Sequence, residues 1–187
     1  MIAINDLTFG YRKMEQPLFE GFSLTIPTGA RRVLTGHSGR GKTTLLRLIM
    51  GLEKPRKGSI LHDETGFAAA FQEDRLIPSA TVLENVALFS DEAKAAEILA
   101  ALGLSDVLRE RPAALSGGMK RRAALARALA HPATALILDE PLTGLDADTA
   151  AQTLAVIDRY AAGRTLLMVS HDSLAAERLG AEEIALA

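Results

Sequence analysis

A run of eight residues early in the chain has the composition and spacing needed to bind the phosphates of a nucleoside triphosphate. It fits the pattern G-x-x-x-x-G-K-[ST] and reads Gly36, His37, Ser38, Gly39, Arg40, Gly41, Lys42, Thr43. Its glycines let the backbone take tight conformations in which successive N–H groups point at phosphate oxygens. Lys42 is expected to reach the β- and γ-phosphates, and the Thr43 hydroxyl to bind Mg²⁺. A glycine-rich turn without a ligand is the alternative.

Two adjacent carboxylates, Asp139 and Glu140, directly follow a predicted strand, a position from which they could act on bound phosphates. They follow the apolar run 135–138, which is typical of a strand buried on both faces of a parallel sheet. Because ligands bind at the carboxyl ends of such strands, both side chains are expected beside the phosphates. Asp139 would hold Mg²⁺, and Glu140 would activate water as a general base. An exposed acidic turn before Pro141 is the alternative.

A third segment narrows the class of phosphate-binding protein. Residues 115–119, with the sequence LSGGM, precede a basic and apolar helix, although Ser-Gly-Gly alone is also an ordinary helix cap. The landmarks in chain order are Tyr11, 36–43, Gln72, 115–119, Asp139, Glu140, 145–146 and 170–172. Together they resemble the ATP-binding subunit of an ABC (ATP-binding cassette) transporter, and the resemblance extends from Tyr11 to His171.

The resemblance implies that the site is shared between two copies of the chain. Ser116, Gly117 and Gly118 would bind the γ-phosphate of ATP held by the opposite subunit, so function would require a homodimer. Asp146 would lie at the dimer seam, although its position also fits an N-cap of the next helix. The implied nucleotide-binding residues are Tyr11, the eight residues 36–43, Thr44, Ser116, Gly117, Gly118 and Asp146.

The resemblance also gives roles to isolated residues. Tyr11 would stack on adenine, Gln72 would touch Mg²⁺ or the attacking water, and His171 would bind the γ-phosphate. The alternatives are a half-buried tyrosine, a polar residue at a strand end and a structural histidine. The implied catalytic residues are Lys42, Gln72, Glu140 and His171, the implied metal-binding residues are Thr43, Gln72 and Asp139, and the cofactors are ATP and Mg²⁺.

Composition limits the partners. The net charge of the 187-residue chain is −2, which provides no basic field for nucleic acid. The absence of cysteine excludes disulfides and thiolate metal sites and fits the cytosol. No apolar stretch approaches the roughly 20 residues of a membrane span, and the start does not resemble a signal peptide. A pore would therefore be another chain, and we expect a cytoplasmic protein that is peripheral on the inner face of the cell membrane.

The order of strand and helix patterns predicts an α/β fold. Its P-loop NTPase core would have a mainly parallel sheet, with an N-terminal antiparallel β subdomain and an inserted helical subdomain. We predict a single ABC ATPase domain over 1–187, with its core at 1–72 and 131–187 and the helical subdomain at 73–130. Strands are expected at 2–9, 22–26, 31–35, 59–61, 66–71, 135–138, 164–169 and 183–187. Helices are expected at 43–50, 91–102, 146–161 and 173–179, with a capping box at 81–84. A further helix, which Ser116 begins, is expected to include 119–130.

The hypothesis that follows is the ATP-hydrolysing subunit of an ABC transporter, an importer that acts through separate transmembrane permease subunits. Met119 and the stretches 72–78 and 81–86 resemble the nitrate, sulfonate and taurine importers. The alternatives are a soluble ABC-type ATPase that acts on a non-membrane macromolecular complex, and a P-loop kinase. The basic residues Lys120, Arg121, Arg122 and Arg127 are interpreted as a solvated helix face, because aromatic stacking partners for nucleic acid are absent nearby.

Overall fold

A computed structural model describes residues 1–12, 15–172 and 174–186 of the chain. Two β-sheets and six α-helices are formed by these residues. The strands are β1 (Ile2–Phe9), β2 (Phe19–Ile26), β3 (Arg31–Thr35), β4 (Lys57–His62), β5 (Phe67–Ala70), β6 (Ala135–Asp139), β7 (Thr165–Val169) and β8 (Glu182–Ala185). The helices are α1 (Lys42–Ile49), α2 (Val82–Ala87), α3 (Glu92–Ala101), α4 (Gly117–Ala130), α5 (Ala147–Tyr160) and α6 (Ala175–Arg178).

The larger sheet is parallel and brings the predicted site segments together. Its strand order is β5-β6-β7-β3-β8, and every neighbouring pair runs parallel. All residues of β6 and β7 are buried, as expected for strands covered on both faces. Because β7 lies between β6 and β3, the segments 36–43, 139–140 and 170–172 leave the sheet at one edge. This arrangement confirms the predicted α/β class with a mainly parallel sheet.

The smaller sheet is antiparallel, with the order β2-β1-β4. Its second strand begins at Phe19, whereas the sequence pattern predicted a start near Phe22. Phe19 is paired with Phe9 and buries its ring, so the strand extends past an irregular register. Gly21, with a φ of 65°, accommodates this irregularity in the middle of the strand. The irregularity is what hid the first half of the strand from the sequence pattern.

Helices α2, α3 and α4 follow one another between the two halves of the parallel sheet. The predicted capping box is confirmed, because Thr81 Oγ1 accepts from the Glu84 N–H and the Glu84 carboxylate accepts from the Thr81 N–H. Helix α4 begins at Gly117 with the Ser116 side chain as its cap, which confirms the prediction that Ser116 begins this helix. Buried apolar residues of all three helices belong to one core cluster. The domain boundaries at residues 73 and 130 stay a prediction.

The remaining differences lie at element ends. Strand β5 ends at Ala70, so Gln72 lies in the loop beyond the strand and does not close it. The last helix spans only Ala175–Arg178, and the predicted start at Ser173 lies outside the described residues. The last strand covers Glu182–Ala185, and its predicted end at Ala187 is likewise outside them. Within the described part of the chain, no helix is long and apolar enough to cross a membrane.

Candidate functional site

The loop 36–43 runs from the carboxyl end of β3 to the start of α1. Gly36, Gly39 and Gly41 have φ values of 131°, 82° and 89°, which residues with a side chain adopt only with strain. A Cβ atom at Gly41 would also lie 2.8 Å from Leu18 Cδ2. Larger residues at these glycines would therefore distort the loop. The start of α1 directs its free N–H groups toward the space that the loop encloses.

Lys42 is buried and folded back on this loop. Its Nζ donates to the carbonyl of Gly36 at 2.7 Å and to that of His37 at 2.9 Å. These two hydrogen bonds tie the loop to itself, and the contact of Lys42 with the β- and γ-phosphates stays a prediction. The two backbone carbonyls accept hydrogen bonds from Nζ as phosphate oxygens can, although phosphate oxygens carry more negative charge.

Asp139 ends β6 beneath the loop with an uncompensated carboxylate. Both of its carboxylate oxygens are buried and lack a hydrogen-bond partner among the described residues. Desolvation by burial raises the pKa of Asp139, and the Thr43 hydroxyl nearby only partly offsets this effect. The charge of Glu140 adds to the rise. A buried carboxylate whose desolvation is only partly offset fits a bound cation, and carboxylate oxygens are ligands that Mg²⁺ prefers.

Glu140 leaves the sheet in the left-handed region, with a φ of 53°. Its Oε1 lies 3.2 Å from His171 Nε2, and its Oε2 accepts from the Thr143 hydroxyl at 3.1 Å. The strained backbone turns the carboxylate toward the neighbouring strand end. The sequence predicted a role for Glu140 but not its hydrogen bond with Thr143. A hydroxyl in an irregular loop has no spacing pattern that would identify it as the partner of this carboxylate.

These residues surround a groove of about 290 Å³ over the loop. It is lined by Tyr11, Leu18, Ser38, Gly39, Gly41, Lys42, Thr43, Thr44, Gln72 and Glu140. His171 lines two adjoining cavities instead, one with Gly36 and His37 and one with Glu140. Most predicted nucleotide and metal residues of the first half of the chain therefore meet in one place, whereas the exposed Arg40 does not line the groove.

Tyr11 has features both of a ring available to stack on adenine and of a half-buried tyrosine packed within the chain. Its hydroxyl lies 3.2 Å from Thr44 Oγ1, and its ring packs edge-on against Phe9 with centroids 5.1 Å apart. The side chain nevertheless stays 38% exposed at the rim of the groove. The ring is thus held by packing within the chain and also presented to the groove.

Ser116 and Asp146 lie away from this groove, each at the start of a helix. Ser116 Oγ accepts from the Met119 N–H, and Asp146 accepts from both the N–H and the hydroxyl of Thr149. Those two hydrogen bonds lower the pKa of Asp146. Within one chain, therefore, these residues act as helix caps. Both side chains are exposed.

The basic residues of α4 do not form the solvated face predicted from the sequence. Arg122 donates to the carbonyl of Leu102 at 2.8 Å, and Arg127 donates to the carbonyls of Arg75 and Asp74 at 3.0 and 3.3 Å. Arg121 likewise donates to the carbonyl of Thr143 at 2.6 Å. The prediction was wrong because helical spacing shows on which face of the helix a side chain begins. It does not show which carbonyls a long arginine side chain can reach with its guanidinium group.

Comparison with known proteins identifies the class that this fold and site define. The family model described as "ABC transporter" matches residues 19–143. The chain therefore belongs to the ABC transporter family. Proteins of this class use their cassette to bind and hydrolyse ATP, and the loop 36–43 and the pair Asp139 and Glu140 lie within the matched region.

Curated relatives point to one group within that family. The aliphatic sulfonates import ATP-binding protein SsuB of Pseudomonas entomophila (strain L48) is 43% identical over 185 residues, covering 91% of this chain and 67% of the relative. SsuB of Pseudomonas putida KT2440 is 43% identical over 177 residues, covering 88% of this chain and 64% of the relative. The chain thus spans about two thirds of the length of these relatives. They are ATP-binding subunits of importers.

Solved cassettes share the whole fold. The dimeric post-hydrolysis state of the ATP-binding cassette MJ0796 bound to ADP and phosphate superposes with a TM-score of 0.89 at 28% identity, covering 100% of this chain and 94% of that one. The dimeric structure of MJ0796 as a bacterial ABC transporter cassette gives 0.86 at 29% identity, with the same coverage. The chain therefore has the P-loop fold of an ABC ATPase cassette.

Proposed function

We propose that this chain is the ATP-hydrolysing subunit of an ABC importer that works as a homodimer on separate permease subunits at the cytoplasmic face of the membrane. The observation that carries the proposal is the convergence of three strand ends. Residues of the loop 36–43 and Glu140 line the groove, Asp139 shares a small cavity with Thr43 and Gln72, and His171 is paired with Glu140.

The chain's own residues would bind the triphosphate first. Amides of the loop 36–43 and the start of α1 would hold the β- and γ-phosphates, and the Tyr11 ring would stack on adenine. Lys42 would exchange the carbonyls of Gly36 and His37 for phosphate oxygens, because those oxygens carry more negative charge. Thr43, Gln72 and Asp139 would hold Mg²⁺, which when bound would neutralise charge developing on the phosphates.

Hydrolysis would then depend on Glu140. Its carboxylate would accept a proton from the attacking water, and Thr143 and His171 would keep the carboxylate directed at the γ-phosphate. His171 is 54% exposed in its side chain and Glu140 18%, so the histidine is the partner with room to turn toward a phosphate. Four residues are proposed as catalytic: Lys42, Gln72, Glu140 and His171.

A second copy of the chain would complete the site. Four of the nucleotide residues implied by the resemblance come from the second half of the chain and do not line the groove: Ser116, Gly117, Gly118 and Asp146. Ser116 and its neighbours stand at the start of α4, where exposed N–H groups favour an anion. In a homodimer these donors would meet the γ-phosphate on the opposite chain. The dimeric cassettes of the same fold support this arrangement.

A groove beside the helices, with both apolar and basic lining residues, is the proposed permease contact. It has a volume of about 320 Å³ and is lined by Phe67, Ala68, Ala69, Leu88, Phe89, Arg127, Ala128 and His131. Leu88 and Phe89 are 51% and 47% exposed, although large apolar side chains favour burial. An apolar segment of the permease would cover them. Arg127 links this groove to the loop after Gln72, so movement of a docked permease would reach the nucleotide groove.

The transported compounds would be small organic anions of the aliphatic sulfonate type. The proposal rests on the SsuB relatives, and the aligned part of the chain supplies the motor and not the substrate pocket. A soluble ABC-type ATPase that acts on a non-membrane macromolecular complex is the alternative. The exposed apolar side chains of Leu88 and Phe89 favour the membrane partner over this alternative.

Recovery of the membrane partner tests the proposal. Tagged chain is produced in the cells that carry its gene, membranes are solubilised in detergent, and bound proteins are identified by mass spectrometry. We expect a multispanning permease with wild type and with the control Leu61→Asp, whose side chain is exposed on β4. Phe89→Asp should lose the permease and keep ATP binding. Recovery of only soluble proteins, or of the permease with Phe89→Asp, would contradict the proposal.

A further inference from the structure

Arg121 is bonded to two separate loops of the candidate site. It lies on α4, the helix that begins beside Ser116. Its Nη1 donates to the carbonyl of Thr143 at 2.6 Å, and its Nη2 donates to the carbonyl of Gln72 at 3.4 Å. One guanidinium group therefore joins α4 to the loop after β6 and to the loop after β5.

The contact with Thr143 leads directly to Glu140. The Thr143 hydroxyl donates to Glu140 Oε2 at 3.1 Å, and the Thr143 N–H donates to the Glu140 carbonyl at 3.3 Å. Arg121 thus holds the backbone of the residue whose side chain holds the carboxylate. A charged donor to a carbonyl is short and directional, so it fixes the position of this turn better than a neutral bond would.

The contact with Gln72 is one of several hydrogen bonds that attach the loop after β5 to helix α4. Arg127, also on α4, donates to the carbonyls of Asp74 and Arg75. Nε of Arg121 lies 3.9 Å from Asp74 Oδ1, and both atoms are buried without a hydrogen-bond partner among the described residues. The loop therefore takes its position from arginines of α4 and not from a sheet ladder.

We propose that Arg121 is a positioning residue for hydrolysis, which acts on Glu140 through Thr143 and on Gln72 through its carbonyl. The proposal rests on the proposed function, because it assumes that Glu140 activates water. Arg121 does not line the groove over the loop 36–43, so ATP binding does not depend on it. Its effect falls on the rate of the chemical step.

Kinetics of matched arginine variants test the proposal. Arg121→Gln should lower kcat by about tenfold to a hundredfold, since small displacements of catalytic groups have effects of this size. The dissociation constant for ATP should stay within about twofold, because the loop 36–43 keeps its phosphate contacts. Arg122→Gln is the control: its guanidinium lies next along α4 but donates to the carbonyl of Leu102, directly after α3, so kcat should match wild type.

A double-mutant cycle separates positioning from helix packing. Thr143→Val removes the hydroxyl that holds Glu140 and should lower kcat. Because Arg121 acts through Thr143, the double variant should be no slower than about the slower single variant. Arg121→Lys keeps a single charged donor and should give an intermediate kcat; it takes the place of Arg121→Gln in the cycle if the glutamine variant does not fold.

Several outcomes would overturn the positioning role. The role fails if the Arg121 variants keep the wild-type kcat or if Arg122→Gln loses as much kcat as they do. It also fails if ATP affinity falls more than kcat, or if the effects of the two single variants are fully additive in the cycle. Glu140→Gln, measured in parallel, distinguishes this failure from that of the proposed function. If Glu140→Gln abolishes turnover and Arg121→Gln does not change it, only the positioning role fails. If Glu140→Gln keeps turnover, the proposed function itself fails.

Discussion

Nε2 of His171 lies 3.2 Å from Oε1 of Glu140, and the sheet accounts for this pairing. Strands β6 and β7 are parallel neighbours in which Asp139 stands opposite Val169. The Glu140 N–H then donates to the Val169 carbonyl at 3.0 Å, so both strands leave the sheet at the same level. The proposed base and its histidine are therefore brought together by the register of one chain, whereas Ser116 and Asp146 are proposed to meet a nucleotide held by a second chain.

Lys42→Ala should abolish ATP hydrolysis, because the exposed Arg40, which is also on the loop, does not line the groove and would not replace Nζ at the phosphates. It should also lower the free energy of unfolding by about 1 to 3 kcal/mol, since the carbonyls of Gly36 and His37 lose their donor. The exposed Lys54→Ala is the control for both effects. Turnover assays and chemical denaturation check the two parts separately, and normal turnover would refute the phosphate-loop assignment.

Two Tyr11 variants separate its ring from its hydroxyl. Tyr11→Ala should weaken ATP binding by about 1 to 3 kcal/mol, the range measured for base stacking on an aromatic ring. Tyr11→Phe loses only the contact with Thr44 Oγ1 and should bind ATP like wild type. Equilibrium titration with ATP checks both. Full affinity in the alanine variant would mean that the ring packs on Phe9 and does not meet the base.

Asp139→Asn should raise the thermal stability of the free protein and should remove the further stabilisation by Mg-ATP. Removing a buried carboxylate without donors removes a desolvation cost, so the melting temperature without nucleotide should rise. The further rise that Mg-ATP gives wild type should be lost, because the metal ligand is gone. Thermal unfolding with and without Mg-ATP measures both, with the exposed Asp106→Asn as control. A lower melting temperature without ligand would show that the carboxylate is stabilised by the protein.

Asp146 provides a pH test of the helix cap. Its pKa is lowered by the bonds from Thr149, so its contribution to stability is present above the ordinary carboxyl pKa. That contribution is lost as the pH falls through the lowered pKa. The stability difference between wild type and Asp146→Asn should therefore be largest at neutral pH and disappear in acid. Denaturation midpoints from neutral to acidic pH measure it, and a constant difference would contradict the assignment.

The fold and the site differ in how far the sequence could predict them. Buried apolar runs such as 135–138 and the glycine pattern 36–43 have local signals, so the parallel sheet and the loop were predictable. Contacts made by long side chains have no such signal. Arg121 and Arg127 were predicted to be solvated, yet they donate to carbonyls of loops far along the chain. The position of Lys42 on its own loop depends on the folded geometry in the same way.

The most direct test of the shared site is the mass of Glu140→Gln in Mg-ATP. This change keeps the shape of the site and removes the proposed base, so ATP should stay bound between two chains. Light scattering should give about twice the chain mass of 19.9 kDa, and adding Ser116→Arg should return the mass to one chain. A single-chain mass for Glu140→Gln, or a dimer that Ser116→Arg leaves intact, would contradict the account.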